Sequence, residues 1–361
     1  MGAYVLRRLW QMVPTLAGVM LLIFVLFNWV GGDPALVLAG KITNKDQIEN
    51  IRKQLGVDQP AYVQLGYFAF EVATGFTCTY RSFVEKDDKP KTADKPGDKV
   101  GDKAGDKAGA KAGDKTSAAQ TGKCQGVRSW ATNEEVSKIL TSRIGPTLTI
   151  MIPVLLLETI LGVILAIGVA YVRGTLTDRA IMMVCTVAMS ISFLVYIIVA
   201  QYLFGFQLGW FPVQGWSDSF WRNLSYYAPL PIMLAVFVGL APALRLYRSF
   251  FLDEINNDYV RTARAKGLSE KTVMMKHVLR NAMIPILTNI GIALPGIFVG
   301  SFLLETFFSI PGLGREILVA VNRSDFPVIK AATVYLAMVT MIINLLVDVL
   351  YKAVDPRVSF K

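Results

Sequence analysis

Long runs of apolar residues, parted by short polar segments, dominate this chain. A helix needs about 20 residues to cross a hydrocarbon core. Six runs reach that length, at 9–30, 145–171, 180–206, 228–247, 284–308 and 331–353, and they predict an all-α polytopic membrane protein with six transmembrane helices. The first run follows Arg7 and Arg8, as the core of a secretory signal would. It is too long for one, and Gly31-Gly32-Asp33-Pro34 is not a small-x-small cleavage site, so it is expected to remain as a helix.

Composition agrees, with 53% of 361 residues hydrophobic and a mean hydropathy of +0.45, which argues against an ordinary soluble domain. A net charge of +10 would suggest nucleic acid, but its distribution points elsewhere. With the amino terminus inside, the inner segments carry Arg7 and Arg8, then Arg173 and Arg179, then the dense set from Arg245 to Arg280, and finally Lys352, Arg357 and Lys361. That is the positive-inside bias of an inner-membrane protein, and no nucleic-acid partner is expected. The short outer loops hold few bases, and Trp210, Phe211, Trp216, Trp221, Tyr226 and Tyr227 after the third run read as an interfacial aromatic belt.

The long polar region between the first two runs falls outside the membrane. Residues 44–75 predict two helices, the first stopping at Gly56 and the second opening at Pro60. From about 85 to 123 the chain alternates Lys, Asp, Gly and Ala with no aromatic residue. Such a segment cannot bury enough apolar surface to offset chain entropy, so disorder is expected. Cys78 and Cys124 bracket it on the side where disulfides persist. They are either bridged, closing the insert as a loop, or two unpaired thiols. Cys185, within the third run, reads as a small apolar residue.

Residues 253–288, between the fourth and fifth runs, are the most informative. Asp253, Glu254 and Asp258 precede Arg261, Arg264 and Lys266, as a helix dipole favours. Gly267 then supplies a left-handed stop and Ser269 an N-cap for the next helix. Two short helices meet at a tight corner, where Ala263, Ala265 and Gly267 leave room for another protein to approach. The string resembles the EAA loop of ABC-importer permeases: Glu-Ala-Ala, three residues, Gly, nine residues, Ile-x-Leu-Pro. Only Ala263, Gly267 and Leu279 match that general form. The departures, Thr262-Ala263-Arg264-Ala265-Lys266-Gly267 and then His277-Val278-Leu279-Arg280-Asn281-Ala282, are similar to the dipeptide/oligopeptide/nickel subfamily. Gly32-Asp33-Pro34, Glu305 to Gly314, Asp325-Phe326-Pro327-Val328 and Asp355-Pro356-Arg357 resemble the same subfamily, in the same order.

The resemblance implies a type I ABC importer permease fold. Residues 1–30 would be an N-terminal transmembrane helix, 31–140 a periplasmic insertion, 141–353 a five-helix transmembrane domain with its coupling loop at 248–283, and 354–361 a cytoplasmic tail. It also implies a coupling helix at about 259–268, with Tyr259, Thr262, Ala263, Lys266, Gly267 and Leu268 meeting a separate ATPase. The chain has no Gly-x4-Gly-Lys-Ser/Thr loop for ATP. No catalysis, cofactor or metal is therefore expected of this chain, and ATP and magnesium would be used by the partner.

The other implied partners are a second homologous permease, one or two ATPase subunits, a periplasmic solute-binding protein and membrane lipid. The expected location is a bacterial inner membrane, with both termini cytoplasmic. Peptides are the expected solute, with nickel complexes, glutathione and peptide-like antibiotics as alternatives. An ion-driven secondary transporter is the rival class, but no internal repeat supports it. Within the spans, Glu158 is either a pathway residue or a carboxyl bonded to a neighbouring span. Gly296 and Gly300 suggest close helix approach at a pathway or subunit interface. Glu305 and Asp348, nearer span ends, are expected to reach water or an interfacial base.

Overall fold

The computed structural model describes residues 2–27, 49, 52, 59–79 and 126–354. The expected helix over 44–56, apart from Glu49 and Arg52, the insert at 85–123, Cys124 and the tail 355–361 lie outside the described residues. Cys78 is disulfide-bonded.

Helices form wherever the apolar runs are long. They are α1 (Gly2–Val25), α3 (Val136–Tyr171), α6 (Pro229–Ile255), α8 (Leu279–Val299) and α11 (Phe326–Val354), joined by a shorter α2 (Ala61–Ala73) that opens at Pro60. Proline at the edge of a helix is tolerated because the first N–H groups have no helical partner anyway. Among the described residues, five helical stretches are long and apolar enough to span a membrane.

The third run differs from expectation. It forms α4 (Leu176–Ser190) and α5 (Phe193–Ala200), the latter continuing as wider turns through Gln207. The two arms meet at 90° and make a sixth span only if taken together. Ile191 and Ser192 take extended backbone angles at the corner, and Tyr196 braces it by donating its hydroxyl to the Ala188 carbonyl at 3.0 Å.

Three buried clusters organise the bundle. One joins the end of α3, α4, the second half of α6 and residues 260–286. A second joins α1, α2, residues 127–140 and the start of α11. The third packs the first half of α3 on α5, on the first half of α6 and on the short α9 (Phe302–Phe307). Ion pairs tie distant helices: Arg8 with Asp348 at 2.9 Å, which gives Asp348 the base expected for it, and Arg143 with Glu316 at 3.1 Å. Asp325 is buried and accepts from the Ser129 hydroxyl at 2.5 Å and the Trp130 N–H at 3.1 Å. The loop after the insert is thereby fastened to the head of α11.

Helix α2 docks with a carboxylate inside its interface. Burial pushes Glu71 up to about 7, the charge of Lys330 opposing the shift. Lys330 itself lies 5.6 Å from the Phe27 ring and 5.8 Å from the Phe68 ring, within cation–π range. The folded value exceeds the ordinary 4.5, so neutral Glu71 favours the docked helix fully below that value, and the contribution is lost as pH rises through about 7. Hydrogen exchange over 61–73, corrected for intrinsic rates, should be less protected at pH 8 than at pH 5.5. Glu71→Gln should remove the difference; equal protection of the unaltered chain at both pH values would refute this.

Candidate functional site

The corner after α6 is built on a buried floor. Helix α7 (Asp258–Ala265) starts at Asn257 and ends at Lys266, and Gly267 turns the chain with φ +76°. L-residues with a Cβ avoid this region, so glycine is favoured there. Val260 and Ala263 point inward and pack in the same cluster as Val273, Met274 and Val278. Arg261, Thr262, Ala265, Lys266, Gly267 and Leu268 face outward.

Ala263 was expected to thin the outer surface. It is 5% exposed, so its small size serves the internal contact instead. Ser269 does occupy the N-cap position, but its hydroxyl pairs with that of Thr272 at 2.8 Å rather than capping a backbone N–H.

Polar contacts hold the corner rigid. Arg264 forks onto Glu270, at 3.1 Å through Nε and 2.6 Å through an Nη, closing the turn around Gly267. That bond holds Arg264 protonated above its ordinary range. Glu254 accepts from the Tyr259 hydroxyl at 2.6 Å and from Asn257 Nδ2 at 2.8 Å, pinning the entry to α7. Burial, and then this carboxylate, pushes the Tyr259 phenol up, so it stays a neutral donor. The corner therefore presents a preformed basic and small-residue face on a firm base. Among the described residues no group of His, Cys, Asp and Glu is placed to hold a metal ion.

The remaining candidates lie apart from it. Glu158 is half-buried on α3 and makes no hydrogen bond among the described residues. Its carboxyl rests on Gly239 of α6, where an added Cβ would come within 2.7 Å. Gly296 and Gly300 do not form one flat helix face. Gly300, at φ +73°, ends α8, while a Cβ at Gly296 would meet nothing within 4 Å among the described residues.

Glu305 does not reach water, being 3% exposed. It accepts from the Thr147 hydroxyl at 2.9 Å and from the Arg315 N–H at 2.8 Å, at the start of α10 (Leu313–Asn322). Thr147 in turn accepts from the Leu313 N–H at 2.8 Å. The carboxylate fills the space left by Gly300, Gly312 and Gly314 and caps α10, where a negative charge meets unsatisfied N–H groups. Sequence reasoning singled out neither Thr147 nor Asp178. Asp178 is buried and takes a two-pronged bond from Arg248 at 2.8 and 2.7 Å. The Thr175-x-x-Asp178 spacing, a form of capping box, was the signal available for it.

Comparison with known proteins places the chain in a family. Residues 158–360, more than half of the chain, match the family described as binding-protein-dependent transport system inner membrane component. Residues 1–85 match the N-terminal region of binding-protein-dependent transport system membrane components. Among curated proteins, the chain is 32% identical to a glutathione transport system permease protein of Salmonella choleraesuis, over 99% of both chains. It is 30% identical to a probable peptide ABC transporter permease protein of Sinorhizobium fredii and 28% to a putative peptide transport system permease protein of Brucella abortus, over the full length of each. Together with its apolar helices, these matches make it a multi-pass inner-membrane protein, and the chain belongs to the family of binding-protein-dependent transport system inner membrane components, the permeases of ABC importers.

Proposed function

We propose that this permease forms one half of the pathway by which peptides enter the cell, with a second homologous permease forming the other half. A periplasmic binding protein delivers the solute, and one or two ATPase subunits, which hold ATP and magnesium, dock on α7. The observation that carries this reading is the exposed Arg261 to Leu268 face on a rigid, buried floor. A helix so mounted transmits a push instead of absorbing it. Both termini lie in the cytoplasm, on the side of the basic corner.

Peptides lead as solute because relatives across the whole length are named for peptide and glutathione transport, and glutathione is itself a small peptide. Purification of the chain with its co-expressed neighbours should bring an ATPase with it, and vesicles made from the assembly should take up peptide only with the binding protein and ATP. An assembly that drives uptake from an ion gradient without ATP would overturn the reading.

Glu158, a mid-span carboxyl without a hydrogen-bond partner among the described residues, lines the solute path in this proposal. Glu158→Gln is expected to raise the solute concentration needed for half-maximal uptake. Unchanged uptake at every pH tested would remove it from the path.

A further inference from the structure

The turn between α3 and α4 is joined to the docking corner by two separate polar contacts. Arg173 donates to the Asn256 side chain at 3.2 Å, and Asn256 is the residue on which α6 gives way to α7. Asp178, in the first turn of α4, accepts both prongs of Arg248, about two turns before the end of α6. The same carboxylate also accepts from the Gly174 N–H at 3.0 Å, while the Thr175 hydroxyl accepts from the Asp178 N–H. Gly174, at φ +79°, makes the tight turn this requires. A third contact, Arg245 to the Thr186 hydroxyl at 3.4 Å, lies further along the same two helices.

Resting on the docking role given above to α7, we propose that residues 172–178 form a second transmission arm. It carries displacement of α7 into the bent α4–α5 pair, with Asp178 as the positioning residue that joins them. A planar guanidinium held by both oxygens of a buried carboxylate resists rotation as well as separation. Helix α4 therefore moves with the end of α6 and does not slide past it. At the far end of the bent pair, Gln201 donates to the carbonyls of Phe307 at 2.9 Å and Val213 at 3.1 Å. Motion of the pair thus reaches the end of α9, at the opposite end of the bundle from the corner.

The test uses the full assembly in vesicles, with binding protein and peptide, and reads peptide taken up per ATP hydrolysed. Asp178→Asn should lower that ratio about fivefold or more, the scale of a modest coupling free energy, while the ATPase still co-purifies. Arg248→Lys keeps the charge but loses the fork and should lower the ratio less. Arg173→Ala, at an exposed contact, should lower it least and serves if Asp178→Asn does not reach the membrane. A merely structural role would reduce the amount of assembly or its melting temperature and leave the ratio unchanged, and that result in Arg248→Lys and Arg173→Ala would overturn the arm. If the unaltered chain carried no ATPase through purification, the docking role would fall and the arm with it. If it did carry one and the variants coupled normally, only the arm would fall.

Discussion

Gly267→Trp is expected to cut uptake by about tenfold or more, the scale of losing a coupling between sites, while the chain still folds and inserts. The residue sits at φ +76° with open space where a Cβ would be. A side chain there therefore meets strain of roughly 1–2 kcal/mol from the left-handed backbone, while its Cβ comes within 4 Å of no neighbour among the described residues. The floor formed by Val260, Ala263 and Val273 stays intact, and the Arg264–Glu270 fork still closes the turn. What changes is the outer face, where an indole would stand between the corner and the surface it meets. Gly267→Asn is the control, because asparagine tolerates this backbone region with little added bulk. Uptake and ATP hydrolysis are measured together in vesicles of equal permease content. Uptake by the Trp variant at the unaltered rate would remove the corner from the docking role, and equal loss in both variants would assign the effect to backbone strain.

Gly312→Ala is expected to destabilise the permease by about 2–4 kcal/mol, because a buried charge would lose partners it cannot replace. An added Cβ would fall on the Glu305 carboxyl group. To make room, the carboxylate must leave the Arg315 N–H and the Thr147 hydroxyl. The Leu313 N–H, held by the same threonine, loses its anchor as well. Helix α10 would then be uncapped and detached from α3 at once. Gly296→Ala provides the contrast, with no neighbour to meet among the described residues and an effect expected within about 0.5 kcal/mol. Thermal unfolding in detergent compares the two, and similar melting temperatures would mean that the Glu305 pocket is not the support described. Glu305→Gln, which keeps the shape and removes the charge, should fall between them.

Much of this permease was legible in the order of its residues. Membrane spans are local in cause, since about 20 apolar residues form a helix wherever lipid replaces water. Among the described residues, the runs at 9–30, 145–171, 228–247 and 331–353 accordingly overlap long helices, and 284–308 does so up to its break at Gly300. The corner was legible for the same reason, as a left-handed residue at Gly267 and the start of a helix at Pro60 are chosen by backbone sterics within a few positions. The bend at 190–193 was not. Neither glycine nor proline marks it, and apolar periodicity is the same for a straight helix and for two arms at 90°.

Only the tertiary structure decided what the polar residues in and beside the spans do. Thr147 and Glu305 stand 158 positions apart, and Asp178 and Arg248 70. A buried carboxylate is acceptable only where the fold brings donors to it, and no local pattern names those donors. Glu305 at a span end therefore looked bound for water until Thr147, Arg315 and three glycines were seen to enclose it. By itself the sequence determined where the long apolar helices lie and where the chain turns at Gly267. The packing of those crossings decided which charges became structural joints, because the low dielectric between helices makes every unpaired charge costly and every long-range pair decisive.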